Sequence, residues 1–286
     1  MHFRSLLLLP LLAVPLLAEE GLAEQAKALY VAGRFPEAKV AIEKIVAAEP
    51  NNAEAHFYLG DLALKRNEVE EAVKQFETAA ALAPKKADYQ VALGGAYGQA
   101  AQQANVFSKF GWAKKCLAAF QKAVEIEPDN LGAHQALFSY YRAAPSIVGG
   151  GHDKAVAEAD EIRKRNPIAG ANALGQLYTD DKKYEEAFAV YEAALKTAPD
   201  NYALLYGVGR AAAQTGLHLD RGEQTLRRCL ELKPAGEDAP LEAAHWRLGN
   251  IAEKKGDKAA AKAEYEAALA INPKFKLAAE SLAKVK

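Results

Sequence analysis

The feature that most constrains this chain is a short phrase that returns seven times and ends each time in proline. The seven prolines are Pro50, Pro84, Pro128, Pro167, Pro199, Pro234 and Pro273. They are separated by 34, 44, 39, 32, 35 and 39 residues, so the shorter spacings cluster near 34. A proline cannot continue a helix, because it lacks the N–H donor and its ring clashes with the preceding turn. A regular period of this length indicates one supersecondary unit stacked many times.

A second pattern appears when the phrases are aligned backwards from each proline. Three units share a Leu-Gly pair, followed at helical spacing by a small residue, an aromatic residue and a second small residue. The sets are Leu59-Gly60, Ala72, Phe76 and Ala79; Leu174-Gly175, Ala187, Tyr191 and Ala194; and Leu248-Gly249, Ala261, Tyr265 and Ala268. In this pattern the chain resembles the tetratricopeptide repeat (TPR) family over nearly all of residues 19–273.

The resemblance implies an all-α fold, a right-handed superhelical solenoid of about seven helix-turn-helix units followed by a C-terminal capping helix. In each unit, the glycine and the alanines allow two antiparallel helices to approach closely, while the aromatic ring fills the gap between units. The units predicted for the single solenoid domain 19–286 are 19–52, 53–86, 87–130, 131–167, 168–201, 202–241 and 242–273, with the cap at 274–286. The asparagines after several prolines predict N-caps, with Asn51-Asn52, Asp129-Asn130 and Asp200-Asn201 as the pairs.

The N-terminus predicts a secretory signal peptide over residues 1–18. Arg4 precedes an apolar run from Leu6 to Ala18, and this run is too short to span a bilayer as a helix of about 20 residues. The alternative is an uncleaved membrane anchor. We expect an exported protein of a bacterial envelope, in the periplasm, and the absence of any Asn-x-Ser/Thr acceptor favours that compartment.

Charge and cysteine content narrow the partners and the chemistry. The formal net charge is −1, with 36 basic and 37 acidic residues, so the chain lacks the basic footprint of a nucleic-acid-binding protein. Cys116 and Cys229 both fall at small core positions of separate units in the TPR alignment. We therefore expect two buried free thiols rather than a disulfide.

The motifs that suggest catalysis or cofactor binding are weak, and we predict no catalytic, cofactor or metal site. The stretch Gly207–Ala212 matches a dinucleotide fingerprint, but that motif requires a preceding strand, and here it falls inside a first helix. The stretch 144–155 carries three successive glycines without the Walker pattern of a phosphate loop. It predicts an enlarged hinge between two helices, with Pro145 ending the first and Asp153 capping the second. The histidines form no metal-binding pattern.

The family resemblance implies a binding site for protein or peptide segments in a groove lined by the first helix of each unit. Mixed aromatic, arginine and amide side chains at such positions suit protein recognition. The residues predicted to line it are Phe57, Tyr58, Asp61, Lys65, Gln135, Ser139, Arg142, Asn172, Gln176, Asp180, Tyr206, Arg210, Gln214, Trp246, Arg247 and Asn250. We expect this scaffold to serve the assembly or maturation of envelope proteins.

An alternative site lies at the edge where two insertions fall, 103–112 and 144–153. Corresponding turns of adjacent repeats line one edge of a solenoid, so the apolar side chains of the two insertions are expected to meet. They would form a local mini-core or an exposed docking edge. This edge is also where an accessory subunit of a hydrolase, or an unrecognised hydrolase, would carry its site. Self-association through the same edge is a further alternative.

Overall fold

The structure is a computed structural model that describes residues 14–232, 234–235 and 238–285. Over those ranges it contains α-helices and one 3-10 turn but no strand, which confirms the all-α prediction. The helices are α1 (Val14–Val31), α2 (Phe35–Ala48), α3 (Ala53–Lys65), α4 (Val69–Leu82), α5 (Ala87–Gln103), α6 (Val106–Ile126), α7 (Leu131–Ala143), α8 (His152–Arg165), α9 (Pro167–Asp180), α10 (Tyr184–Leu195), α11 (Tyr202–Thr215), α12 (Leu219–Glu231), α13 (Leu241–Lys255), α14 (Lys258–Ile271) and α15 (Lys276–Lys284). Most of the predicted signal peptide, residues 1–13, lies outside the described residues.

The helices form two compact units. The first contains α1 to α6, the start of α7 as far as Leu137, and the segment Ala144–Gly149. Within it, three antiparallel hairpins follow one another, α1 with α2, α3 with α4 and α5 with α6. The second unit contains Phe138–Ala143 and everything from Gly150 onward. Here α9 pairs with α10, α11 with α12 and α13 with α14, and the first helices α9, α11 and α13 contact one another in turn.

Asparagine caps and prolines set the helix ends, as the sequence predicts. The side chains of Asn52, Asn130 and Asn201 each accept a hydrogen bond from the backbone N–H three residues further on, at 2.9, 2.9 and 3.1 Å. Each cap satisfies a donor that the first helical turn leaves without a partner. Pro167 has a second role, because it is the first residue of α9, where its missing N–H costs nothing.

The turn inside most hairpins requires a left-handed residue at one position. Gly33 and Asn67 take positive φ in the first unit, and Lys182, Gly216 and Gly256 do so in the second. The α5–α6 hairpin departs from this rule. The position that corresponds to the turn residue of the other hairpins lies inside helix α5. The 103–112 insertion is therefore helical rather than a loop: it lengthens α5 and α6 to 17 and 21 residues, leaving a short turn at Ala104-Asn105.

Adjacent glycines in α5 offer a matched test of the close helix packing. A Cβ at Gly94 would lie 2.4 Å from a ring carbon of the buried Phe120, whereas a Cβ at Gly95 would meet nothing within 4 Å. Gly94→Ala is expected to destabilise the protein by about 1–3 kcal/mol through overpacking. Gly95→Ala should stabilise it by about 0.5–1 kcal/mol, because alanine is the better helix former. Urea denaturation of the two variants measures both effects, and equal midpoints would contradict this packing.

The two cysteines are free and buried, as predicted. Burial raises the pKa of both thiols to about 12, with Asp238 adding a smaller increase at Cys229. Because the thiolate is the reactive form, both cysteines should stay protonated and resist a thiol reagent at pH 8 in the folded chain. Both should react in denaturant. Rapid modification of either thiol in native buffer would contradict the burial.

Candidate functional site

The second unit presents a continuous row of half-buried polar and aromatic side chains on its first helices. We call this row the arginine face and define it by six residues. They are Asn172 and Gln176 on α9, Tyr206 and Arg210 on α11, and Trp246 and Arg247 on α13. Asn172 and Tyr206 are 34 residues apart, as are Gln176 and Arg210, so each pair occupies equivalent positions in successive repeats. All six belong to the groove set that the sequence predicts.

Tyr191 on α10 holds the middle of this face in place. Its ring is fully buried and occupies the hollow left by two glycines, since a Cβ at Gly175 or Gly207 would lie 2.3 or 2.5 Å from it. Its hydroxyl oxygen accepts a hydrogen bond from the Arg210 guanidinium at 3.2 Å. Burial raises the pKa of Tyr191, and the positive charge of Arg210 opposes that rise. A core tyrosine thus positions a surface arginine.

Arg247 packs over the ring of its neighbour Trp246, and only some of its hydrogen-bond donors are paired. Its Cζ atom lies 4.2 Å from the centre of the Trp246 ring, and its buried Nε has no hydrogen-bond partner among the described residues. Burial lowers the pKa of Arg247; a hydrogen bond to Tyr206 opposes that effect, and the positive charge of Arg210 adds to it. Arg210 and Arg247 are therefore close enough for their charges to repel.

A third arginine on the first helices, one repeat before Gln176, has a carboxylate partner. Arg142, at the end of α7, donates a hydrogen bond to Gln176 Oε1 at 2.5 Å and pairs with Asp180 at 3.3 Å. No carboxylate forms an ion pair with Arg210 or Arg247 within the ranges that the structure describes. The face consequently carries a positive charge that its own side chains leave unneutralised.

Trp246 and Asn250, also predicted to line the groove, take part in the packing of the C-terminal helices. The Trp246 indole N–H donates to Ser281 Oγ at 3.1 Å, and its ring packs edge-on against Phe275 with centroids 6.1 Å apart. Asn250 Oδ1 accepts a hydrogen bond from the Tyr265 hydroxyl at 2.8 Å. These contacts fix the Trp246 ring beneath Arg247 and leave Asn250 less free to bind a ligand.

In the first unit, the predicted groove residues satisfy one another. Asp61 accepts a short hydrogen bond from the Tyr30 hydroxyl and pairs with Lys65 at 3.4 Å. The Lys65 ammonium also lies over the Tyr30 ring, 5.8 Å from its centre.

Phe57 and Tyr58, also predicted to line the groove, pack against other aromatic rings of this unit. Phe57 packs between Phe76 and Tyr89, at centroid distances of 5.6 and 4.9 Å, and Tyr58 packs against Tyr30 at 4.9 Å. Substituting Phe57 would therefore alter core packing as well as the surface. Gln135 is exposed on the part of α7 that belongs to this unit.

The repeat pattern predicts a packing role for Tyr191 but not its hydrogen bond to Arg210. The spacing of Arg142, Gln176 and Arg210 at intervals of 34 residues is the signal that could have found this row. The contact of Arg247 with Trp246 is harder to predict from the sequence, because the side chains of consecutive helical residues point in different directions.

The glycine stretch forms the turn between α7 and α8, held by backbone hydrogen bonds. Gly149 takes a left-handed φ of 93° at the end of the 3-10 turn Ser146–Val148, and a Cβ there would lie 2.7 Å from Leu117. Its N–H donates to Ser146 O, and the Gly151 N–H donates to Tyr141 O, both at 2.9 Å.

The cap predicted for the helix after this turn was wrong. Helix α8 begins at His152 with Gly151 as its N-cap and without a side-chain cap bond, so Asp153 lies in the first turn instead. The glycine backbone reaches this N-cap position without strain, and the acid still complements the positive end of the helix dipole.

The insertion edge is largely exposed and apolar. Val148 is buried in the first unit, where the 3-10 turn contacts α6. By contrast, Phe107, Ile147 and Val106 are 96%, 74% and 72% exposed. Phe107, Ile147 and Val106 therefore do not form the expected mini-core, and Val148 is the buried hydrophobic residue of this edge. Phe107 stays exposed because it lies on the side of α6 opposite the buried Cys116.

Nothing in the described ranges resembles a metal or dinucleotide site. No group of three or more His, Cys, Asp or Glu side chains converges there. The fingerprint-like stretch Gly207–Ala212 lies inside α11, and its glycines serve packing: a Cβ at Gly209 would lie 2.2 Å from Leu226. Within those ranges, no helix is long and apolar enough to cross a membrane.

Comparison with known families agrees with the fold. Two profiles of the tetratricopeptide repeat match, one over residues 24–87, 149–202 and 172–240, the other over 242–275. The first alone spans more than half of the chain, so this protein belongs to the tetratricopeptide repeat family. The stretch without a match includes the lengthened α5–α6 hairpin. No curated protein matches the sequence.

Solved structures with the same fold share little sequence with this chain. A tetratricopeptide repeat protein from Parabacteroides merdae is 15% identical, with 93% of this chain and 98% of that one covered and a TM-score of 0.68. A TPR protein from Thermus thermophilus is 22% identical, with 74% and 99% covered and a TM-score of 0.52. Human IFIT1, solved as a dimer with m7Gppp-AAAA, is 18% identical, with 89% and 59% covered and a TM-score of 0.61. At such identities the likeness concerns the fold alone.

Proposed function

We propose that this protein is a non-enzymatic scaffold that binds an extended polypeptide segment on the arginine face. The observation that carries this proposal is the row of half-buried hydrogen-bonding and aromatic side chains on α9, α11 and α13. The TPR fold generally serves as a scaffold for protein interaction. This row supports a location in the second unit for that general role.

The chemistry of the row suits a peptide backbone. The Asn172 side chain makes no hydrogen bond within the described part of the chain, and Gln176 uses its oxygen on Arg142, leaving its two N–H donors. An extended segment presents backbone N–H and C=O groups along both edges, which amides can pair without reading a side chain. The flat rings of Tyr206 and Trp246 supply apolar contact at a small cost in side-chain entropy.

The first unit has less capacity of this kind. Asp61, Lys65 and Tyr30 already pair with one another, so a ligand there would have to replace existing contacts. The insertion edge offers apolar area, and among the described residues we find no nucleophile paired with a base that would favour a hydrolase there. The hydroxyl of Ser108, for example, is engaged with its own N-cap residue Asn105. The arginine face is therefore the better supported binding site.

The proposed cellular setting of this binding rests on the predicted signal peptide. If residues 1–18 are removed as a signal peptide, the mature chain works outside the cytoplasm, in a bacterial periplasm. A scaffold that pairs with extended backbones fits client segments that have not yet folded or assembled. We therefore place its work in the assembly or maturation of envelope proteins.

A peptide selection tests this proposal. A displayed library of random 12-residue peptides is panned on the full chain and on two double-substitution variants. Asn172→Ala with Gln176→Ala removes the amides of the arginine face, while Gln121→Ala with Gln224→Ala removes amides from the second helices α6 and α12. We expect wild type and the second-helix variant to enrich the same peptides, and the face variant to lose most of that enrichment. Equal enrichment by all three, or none by wild type, would refute the proposal.

A further inference from the structure

The arginine face contains two cations that nothing in the described chain neutralises. We infer that Arg210 and Arg247 together bind the carboxylate of an Asp or Glu side chain in the bound polypeptide. This inference rests on the proposed function and specifies its ligand. It assigns to the two arginines a role distinct from that of the amides, which pair with any backbone.

The present arrangement of the two arginines is electrostatically costly. Arg210 on α11 and Arg247 on α13 are both half-buried, and the pKa of Arg247 is lowered first by burial and further by the positive charge of Arg210. Taking a guanidinium out of water is costly unless an anion or several acceptors compensate. Arg210 has one neutral acceptor in Tyr191. An anion placed between the two arginines would remove the repulsion and supply the missing acceptors at once.

The geometry of Arg247 suits a carboxylate. A guanidinium presents five N–H donors in a planar fork that matches the two oxygens of a carboxylate. The Cζ atom of Arg247 is held 4.2 Å from the centre of the Trp246 ring, and the buried Nε of Arg247 has no hydrogen-bond partner in the described part of the chain. Arg210 is held from below by Tyr191. Both forks are thus oriented before any ligand arrives, which reduces the entropy lost on binding.

The size and charge of the ligand follow from the number of arginines. Two arginines without a carboxylate partner among the described residues suffice for one carboxylate, whereas nucleic acids are held by many phosphate contacts and strongly basic surfaces. Here the chain as a whole has a net charge of −1, and Asp180, paired with Arg142, lies close enough to raise the pKa of Tyr191. That carboxylate would repel a phosphate backbone lying along the face. A single acid within an otherwise neutral peptide fits this charge pattern.

The Trp246 ring under Arg247 supplies a direct reporter. The chain has two tryptophans, so Trp112→Phe leaves Trp246 as the single indole in the chain. In this background, indole fluorescence is titrated with the most enriched selected peptide and with a copy in which each Asp or Glu becomes Asn or Gln. A single-stranded RNA octamer is titrated as a third probe.

We expect the acidic peptide to bind about 10- to 100-fold more tightly than its amide copy, as for a charge-assisted hydrogen-bonded pair. Arg210→Gln and Arg247→Gln should each weaken binding of the acidic peptide far more than binding of the amide copy, which removes most of that ratio. Arg247→Lys should restore it only in part, because lysine keeps the charge and loses the fork. Circular dichroism of each variant shows whether it is folded, and the amide copy checks the remaining site.

Three results would overturn the inference. Equal affinities of the acidic and amide peptides would refute it and leave the proposed function standing. So would an unchanged ratio in both arginine variants. Tighter binding of the RNA than of either peptide would replace the carboxylate with a phosphate ligand. Failure of the proposed function itself shows separately, as the absence of any enriched peptide in the selection.

Discussion

Gly170→Ala is expected to destabilise the second unit by about 3 kcal/mol or more, at the upper end of the overpacking range. A Cβ at this position would lie 2.3 Å from the Arg163 Cα atom and 2.8 Å from its backbone nitrogen. Backbone atoms cannot rotate out of the way as a flexible side chain can. Helices α8 and α9 would therefore have to separate, and they form the start of the unit that carries the arginine face.

Thermal and urea denaturation measure this effect, with Gly95→Ala as the control. That control also adds one methyl group to a glycine inside a helix, but its Cβ meets nothing within 4 Å. The two variants should shift stability in opposite directions. A Gly170→Ala protein as stable as the control would show that α8 and α9 do not cross at this distance.

Tyr191→Ala is the second substitution with a large expected effect, a loss of about 4 kcal/mol. Its ring is fully buried, and large aromatic-to-alanine truncations in cores typically cost about 3–5 kcal/mol. Tyr191→Phe should cost only about 1 kcal/mol, because it removes one hydrogen bond, the one from Arg210. That milder variant should also weaken binding of the acidic peptide, since Arg210 loses its support.

A double-mutant cycle links this tyrosine to the glycine of the repeat motif. In the wild type, a methyl group at Gly175 would lie 2.3 Å from the Tyr191 ring, so Gly175→Ala alone should be destabilising. In a Tyr191→Ala background, the same methyl group enters an empty space and should be neutral or stabilising. The two effects should therefore be strongly non-additive. Additivity would mean that the two residues are not in contact.

Much of the fold could be predicted because it depends on local chemistry that repeats. The asparagines after the prolines are read correctly as N-caps, since the capping bond involves residues only three positions apart. The Leu-Gly and aromatic positions are also predictable. They mark the close approach of two helices whose spacing in the sequence is nearly constant.

The insertion after α5 was harder to predict, because length alone does not distinguish a loop from two longer helices. The stretch Gln99–Gln103 holds only Gln and Ala, which favour helix. Asn105 then caps α6 through hydrogen bonds from Phe107 and Ser108. This composition was the available signal, and it outweighs the expectation of a turn that the repeat period creates.

The candidate site could be predicted only in part, for a physical reason. Periodicity shows which side chains lie on the first helices, but not which of them are already neutralised. Asp61 and Lys65 form an ion pair in the first unit, whereas Arg210 and Arg247 have no carboxylate partner in the described chain. That difference depends on contacts between residues far apart in sequence. It favours the second unit as the binding site.

Site-specific photo-crosslinking tests directly whether the polypeptide binds on the arginine face. A photoreactive phenylalanine replaces Gln214, exposed on the first helix α11, or Gln224, exposed on the second helix α12. Each protein is irradiated with a selected peptide at saturating concentration. If the arginine face binds the polypeptide, the probe at 214 should crosslink to it and the probe at 224 should not. Crosslinks from 224 alone, or equally from both positions, would contradict binding on that face.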